Sequence, residues 1–176
     1  MGRRETRAPD DPGRVKRSPR TDPPNPSELA IERILLASEG RAIPAQAIEF
    51  AARLAAPKKA AVEVLSIARV HGTAFGFPSP GLLPTRHEWQ EQRDLVARAV
   101  KALRKRGLEV NGEVVGTRKA ASRICQQAQS LGCDVIVMAA DPPRNRVAGD
   151  FLWSQEPYRV RRKADIPVYL VPDPTG

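Results

Sequence analysis

The stretch Cys133–Ala140, CDVIVMAA, holds six apolar residues after a single charge and then runs into Asp141, Pro142 and Pro143. A short aliphatic run of this kind, stopped by turn-forming residues, reads as a strand buried on both faces. Such strands belong to parallel sheets sandwiched between helices, so the flanking sequence should alternate strand and helix.

It does. AIERILLAS (Ala30–Ser38) is a second aliphatic run that ends at Glu39-Gly40, and IPAQAIEFAARLAAP after it places Ile43, Ala47, Ile48, Ala51 and Leu54/Ala55 at helical spacing. AAVEVLSIARV reads as the next strand, and HGTAFGFPSPGLLPTRHE as a long irregular loop broken by Gly and Pro. A helix is expected from about Glu88 to Arg106, with Gly107 as its stop. LEVNGEVVG is then a strand and TRKAASRICQQAQSLG a helix. Beyond the double proline, FLWSQEPYRVRRK reads as a shorter helix interrupted near Pro157, and IPVYLVP as the last strand. Five strands and four helices in alternation specify an α/β fold: an open, doubly wound, five-stranded parallel sheet with helices on both faces, flavodoxin-like or Rossmann-like. Ligands bind such sheets beyond the carboxyl ends of strands where the strand order reverses. That rule selects Ser38–Arg41 after the first strand and 139–147 after the fourth.

The chain has 176 residues, 41% of them hydrophobic, which suits one domain. Residues 1–28 carry seven Lys/Arg, five Asp/Glu and six of the 17 prolines, with almost no large apolar side chains. They read as a disordered tail preceding one domain over 29–176, because so little buried surface cannot offset the ordering entropy. The formal charge of +9 is therefore spread, with 22 basic against 15 acidic residues outside the tail. The basic runs KALRKRG and YRVRRK fall at helix C-termini, where cations complement the macrodipole, and no aromatics are interleaved with them, so nucleic acid is not an expected partner. No apolar run is long enough for a membrane span and the tail lacks a secretory signal's apolar centre, which gives a cytoplasmic expectation. Cys125 and Cys133 match no zinc spacing and read as small hydrophobes. His71 and His87, placed in the long loop, have no carboxylate-rich motif around them. No enzyme and no metal site are expected.

The order of these pieces resembles the universal stress protein (UspA) family: RILLASEG with its acidic-Gly turn, AIEFAARLA, VVG before the third helix, CDVIVMAA and the closing ADIPVYLV. The resemblance covers about residues 31–172 and implies an adenine nucleotide alpha hydrolase-like fold. It also implies a homodimer through the last strand, whose backbone at a sheet edge is unpaired unless covered. ATP-binding members carry an Asp in the first turn, then a Gly-x-x-Gly and a Gly-Ser or Gly-Thr after the fourth strand. Here Glu39 takes the Asp position, Ala139 and Pro142 the two glycines, and Trp153-Ser154 the last pair.

These departures oppose a polyphosphate. Pro142 and Pro143 have no N–H to donate, and each hydrogen bond to a charged group is worth about 1.5–3 kcal/mol. A carboxylate at Asp141 about 5 Å from a phosphate charge would cost roughly 3 kcal/mol at an effective dielectric near 20. Trp153 adds bulk. Arg144 and Arg146 are cations on the same loop that could grip a phosphate differently. The expected function is thus a dimeric regulatory or interaction module with a degenerate nucleotide site, no cofactor and an unidentified protein partner. The alternative is a sensor of ATP, another adenine nucleotide or a different small ligand, bound through Glu39, Gly40, Ala139, Arg144, Arg146 and Ser154.

Overall fold

The computed structural model describes residues 22–70, 83–141 and 155–173. Five strands alternate with four helices: β1 (Arg33–Ser38), α1 (Ala45–Ala55), β2 (Ala61–Arg69), α2 (Arg86–Arg104), β3 (Val110–Thr117), α3 (Ala120–Ser130), β4 (Val135–Ala140), α4 (Glu156–Lys163) and β5 (Val168–Pro172). All four strand pairings are parallel. The order β3-β2-β1-β4-β5 places β1 at the centre, between β2 and β4.

The aliphatic runs are explained by helices on both faces. In β1 and β4, Ile34, Leu36, Val135 and Val137 pack in one cluster with Ala47, Ala51, Ala55, Ala99 and Leu103 of α1 and α2. Their alternates Leu35, Ile136 and Met138 join Ile124, Ala128 and Val160 of α3 and α4. Each large aliphatic chain fully removed from water contributes about 1.5–3 kcal/mol, so both layers stabilise the central strands. Helix α2 lies close on β3 because Gly112 has no side chain: a Cβ there would stand 2.5 Å from Val96 Cγ1 and 2.8 Å from Val100 Cγ2. At the sheet's lower end, Asp134 accepts from the backbone N–H of Glu32 (2.8 Å) and Arg33 (2.9 Å), fixing where β1 and β4 begin.

Three local expectations are corrected. Helix α2 starts at Arg86, two residues early, because Thr85 and Glu88 form a capping box; His87 therefore lies in its first turn, with Nδ1 3.4 Å from Glu91, and not in the loop. Pro157 does not interrupt α4 but occupies its first turn, where a missing N–H costs no helical bond. Residues to Glu28 were expected to be disordered, yet Pro26–Glu28 form a 3-10 turn capped by Asn25, and the Tyr169 hydroxyl donates to Pro24 O at 2.7 Å. Leu29 packs against the adjoining core; this anchor was hidden by the proline-rich composition. Residues 1–21 of the expected tail lie outside the described residues.

The crevice above β1 and β4

β1 is where the strand order reverses, since its chain continues to β2 on one side while β4 lies on the other. The register Ala37 to Met138 sets the turn after β1 opposite the end of β4. This is the position where doubly wound sheets hold ligands.

The turn is built to a fixed shape. Gly40 has φ +108°, and a Cβ there would lie 2.7 Å from Ile67 O, so only glycine fits both the angle and the space. Its carbonyl accepts from Gln92 Nε2 (3.0 Å), and Gln92 is in turn held by the Ser66 hydroxyl (2.6 Å). The Glu39 carbonyl accepts from Arg69 Nε at 2.8 Å. Ser38 Oγ donates to Arg41 O at 2.5 Å and accepts from the Gly40 N–H at 3.2 Å. Sheet and α2 thus hold the backbone of the first-turn residues from below.

Their side chains meet across the crevice. Glu39 is 2% exposed and Asp141 6%. Between them lies the guanidinium of Arg41: Nε donates to Glu39 Oε1 at 2.6 Å, and Nη1 reaches both Asp141 oxygens at 3.0 and 2.8 Å. Partial burial works against the arginine's charge, but the two carboxylates outweigh it and its pKa lies above the ordinary value. Arg41 Nη2 is buried without a hydrogen-bond partner among the described residues. Asp141 is further fixed by its carbonyl, which accepts from the Tyr158 hydroxyl at 2.6 Å. The space left beneath, lined by Ala37, Ser38, Glu39, Arg41, Ala42, Ile43 and Ala139, has a volume of about 10 Å³, room for about one water.

Of the expected site residues, Glu39, Gly40 and Ala139 come together here, while Arg144, Arg146 and Ser154 lie outside the described residues, as do Pro142, Pro143 and Trp153. Asp141, expected as a repelling charge on its own, is instead paired with Arg41, which it shares with Glu39. Arg41 itself was missed. Its signal was available in the acidic-Gly-basic triplet Glu39–Arg41 facing an acidic residue at the end of the neighbouring strand. Among the described residues no cluster of three His, Cys, Asp or Glu could hold a metal ion.

The family model of the Universal stress protein family matches residues 30–172. No curated protein sequence matches the chain. Among solved structures, one from the universal stress protein family of Burkholderia pseudomallei is 22% identical with a TM-score of 0.60, covering 81% of this chain and 97% of its own. The universal stress protein from Archaeoglobus fulgidus in complex with dAMP is 19% identical, with a TM-score of 0.58 and coverage of 81% and 98%. A universal stress protein in complex with cAMP is 16% identical, with a TM-score of 0.58 and coverage of 82% and 98%.

Proposed function

Because the chain belongs to the universal stress protein family, matched over residues 30–172, we propose that it is a dimeric regulatory module whose crevice does not hold ATP in the family's usual geometry. The observation that carries this reading is the Glu39–Arg41–Asp141 bridge, which ties the turn after β1 to the end of β4 and leaves about 10 Å³ beneath it. A polyphosphate would have to displace a guanidinium already held by two buried carboxylates, and the partners it freed would then repel it. The sequence adds Pro142 and Pro143 where backbone donors would be needed. We read the module as non-catalytic, acting through a protein partner.

Thermal melts with ATP, ADP, AMP and cyclic AMP test this. A ligand at about 100 times its Kd stabilises a fold by roughly 2.7 kcal/mol and raises the midpoint by several degrees. Unchanged midpoints with ATP are expected; a saturable rise with ATP overturns the reading.

One observation favours the sensor alternative. Among the described residues Arg41 Nη2 lacks a partner, so a small ligand with a single anionic group could complete it, and two structurally similar proteins are described in complex with dAMP and cAMP. A rise with AMP or cyclic AMP and none with ATP would select that version.

For the dimer, β5 is an edge strand. Pro167 O and the Asp173 N–H both bond to β4, so strand alternation turns the Leu170 N–H to the open edge. Sedimentation of the full chain should give a dimer, and Leu170→Pro, which removes the outward donor as well as a side chain packed on the core, should shift it to monomer with its far-ultraviolet circular dichroism unchanged. A monomeric parent, or a dimer unaffected by Leu170→Pro, contradicts the β5 interface.

A further inference from the structure

At the side of the sheet away from β5 the outermost strand is β3, VNGEVVGT, eight residues long and without the Pro or Lys that commonly blunt an exposed edge. Its hydrogen-bond alternation is fixed at both ends. Glu109 O accepts from the Val62 N–H at 2.9 Å, and Thr117 O from the Val70 N–H at 3.2 Å. A residue in a parallel ladder turns its N–H and C=O to the same neighbour, so the odd positions face β2, and Val110, Gly112, Val114 and Gly116 face outward. Arg104 agrees with this, since its Nε (3.2 Å) and Nη2 (2.7 Å) both donate to Val110 O. Among the described residues no group bonds the outward backbone of Gly112, Val114 or Gly116. With glycine at 112 and 116, those backbone groups have no side chain of their own to shield them.

Helix α2 runs beside this edge and walls it. Trp89 lies against Gly116, where a Cβ would stand 3.0 Å from Cζ2, Val96 and Val100 lie against Gly112, and Arg104 reaches Val110. Beyond that contact line, Arg86, Arg93, Ala97 and Arg104 share one stripe of the helix, and all four are exposed. Arg93 stands 5.9 Å from the centroid of the Trp89 ring. Neither Arg86 nor Arg93 has a carboxylate partner among the described ion pairs.

The two features select one kind of occupant. Backbone donors and acceptors repeating at every second residue recognise an extended chain, and an arginine stripe along one side recognises carboxylates on that chain. On the other side, toward α3, stands the Glu113 carboxylate, held by Gln127 Nε2 at 2.8 Å. Acids there would be repelled, so they belong at alternate positions, on the α2 side alone. From Arg86 to Arg104 the helix rises about 27 Å, the reach of about eight extended residues.

We propose that the β3 edge docks an extended acidic segment of a partner protein, which adds to the sheet beside β3 with its alternate carboxylates along Arg86, Arg93 and Arg104. This rests on the reading that the module acts through a protein partner and gives that partner its place and chemistry.

The probe is a blocked octapeptide of alternating Thr and Glu, titrated into the full chain at low salt and followed by backbone amide resonances. The same peptide with Lys for Glu is the charge control. Two N-methylated copies, one methylated at every Thr and the other at every Glu, test backbone pairing. Saturable shifts centred on Gly112, Val114 and Gly116 are expected with the acidic peptide and none with the basic one. Only one of the methylated copies should bind, because alternate N–H groups of an added strand face β3 and the others face solvent. Arg93→Glu, a change at an exposed position, should weaken the acidic peptide by at least about fivefold. Absence of saturable shifts at the three amides overturns the proposal, as does equal behaviour of the two methylated copies, equal binding of the basic peptide, or an affinity unchanged in Arg93→Glu. Shifts at Leu170 instead would assign the peptide to the β5 edge, and concentration-dependent shifts at Gly112, Val114 and Gly116 without peptide would make β3 a contact between copies of this chain; either result also overturns it. The nucleotide melts read the crevice above β1 and β4 while these shifts read β3, so each reading can fail while the other stands.

Discussion

Arg41→Ala is the perturbation that the crevice geometry makes most informative. It strands two carboxylates, Glu39 at 2% and Asp141 at 6% exposure, which share one guanidinium in the parent protein. Removing one partner of a fully buried pair costs about 3–5 kcal/mol, but the Arg41 side chain is 32% exposed, so solvent screening reduces this to about 2–3 kcal/mol. With an m-value of about 2 kcal/mol/M the urea midpoint should fall by roughly 1 M. Asp141→Asn alone should also destabilise, by about 1–2 kcal/mol, because it removes half of the bridge. The double variant carries one stranded carboxylate where Arg41→Ala carries two, so it should be no less stable than Arg41→Ala. The cycle then yields a coupling of about 1–2 kcal/mol. Equilibrium urea unfolding of the four proteins measures it. Effects that add within about 0.5 kcal/mol would mean that Arg41 and Asp141 do not act as a unit, and the bridge could not close the crevice.

Other expectations are local. Gly40→Ala combines a φ of +108° with a Cβ 2.7 Å from Ile67 O and should cost about 2–3 kcal/mol by urea unfolding; a loss under about 0.5 kcal/mol would contradict the rigid turn. Gly112→Ala should also destabilise, since α2 must move off β3, and an unchanged midpoint would show that the helix adjusts freely. The Cys133 thiol is pushed up to about 12 by burial first and then by the nearby Glu63 charge. Native protein at pH 8 should therefore leave Cys133 unlabelled by a thiol reagent until unfolded. Because its folded pKa lies above the unfolded value, the stability linked to this thiol is full below about pH 9 and declines as pH rises toward 12. Prompt native labelling of Cys133, or stability rising over that window, would refute the assignment.

The fold was legible because aliphatic runs such as Ile34–Ala37 and Val135–Met138 must bury both faces, and only a covered parallel sheet offers that. Short helical stripes such as Ala47, Ala51 and Ala55 were legible for the same reason, with core contact reporting directly in hydropathy. Boundaries set by specific hydrogen bonds were less visible. The Thr85–Glu88 capping box was written in the sequence but obscured by the Gly/Pro-rich stretch before it, and the anchoring of Pro24 depends on Tyr169, 145 positions away. The position of the crevice followed from topology, but its state did not. Asp141 looked repulsive because its partner, Arg41, is 100 positions distant, and only the β1–β4 register brings them together. The burial of Glu63 was likewise not legible: a charge within a strand reads as solvent-facing until its neighbours show it buried.

Titration calorimetry of the full chain with ATP decides whether the Glu39–Arg41–Asp141 bridge closes the crevice above β1 and β4 to that nucleotide. The bridge predicts no saturable heat up to millimolar nucleotide. A saturable isotherm at one ATP per chain would contradict it, and its loss in Glu39→Gln would place that nucleotide in this crevice.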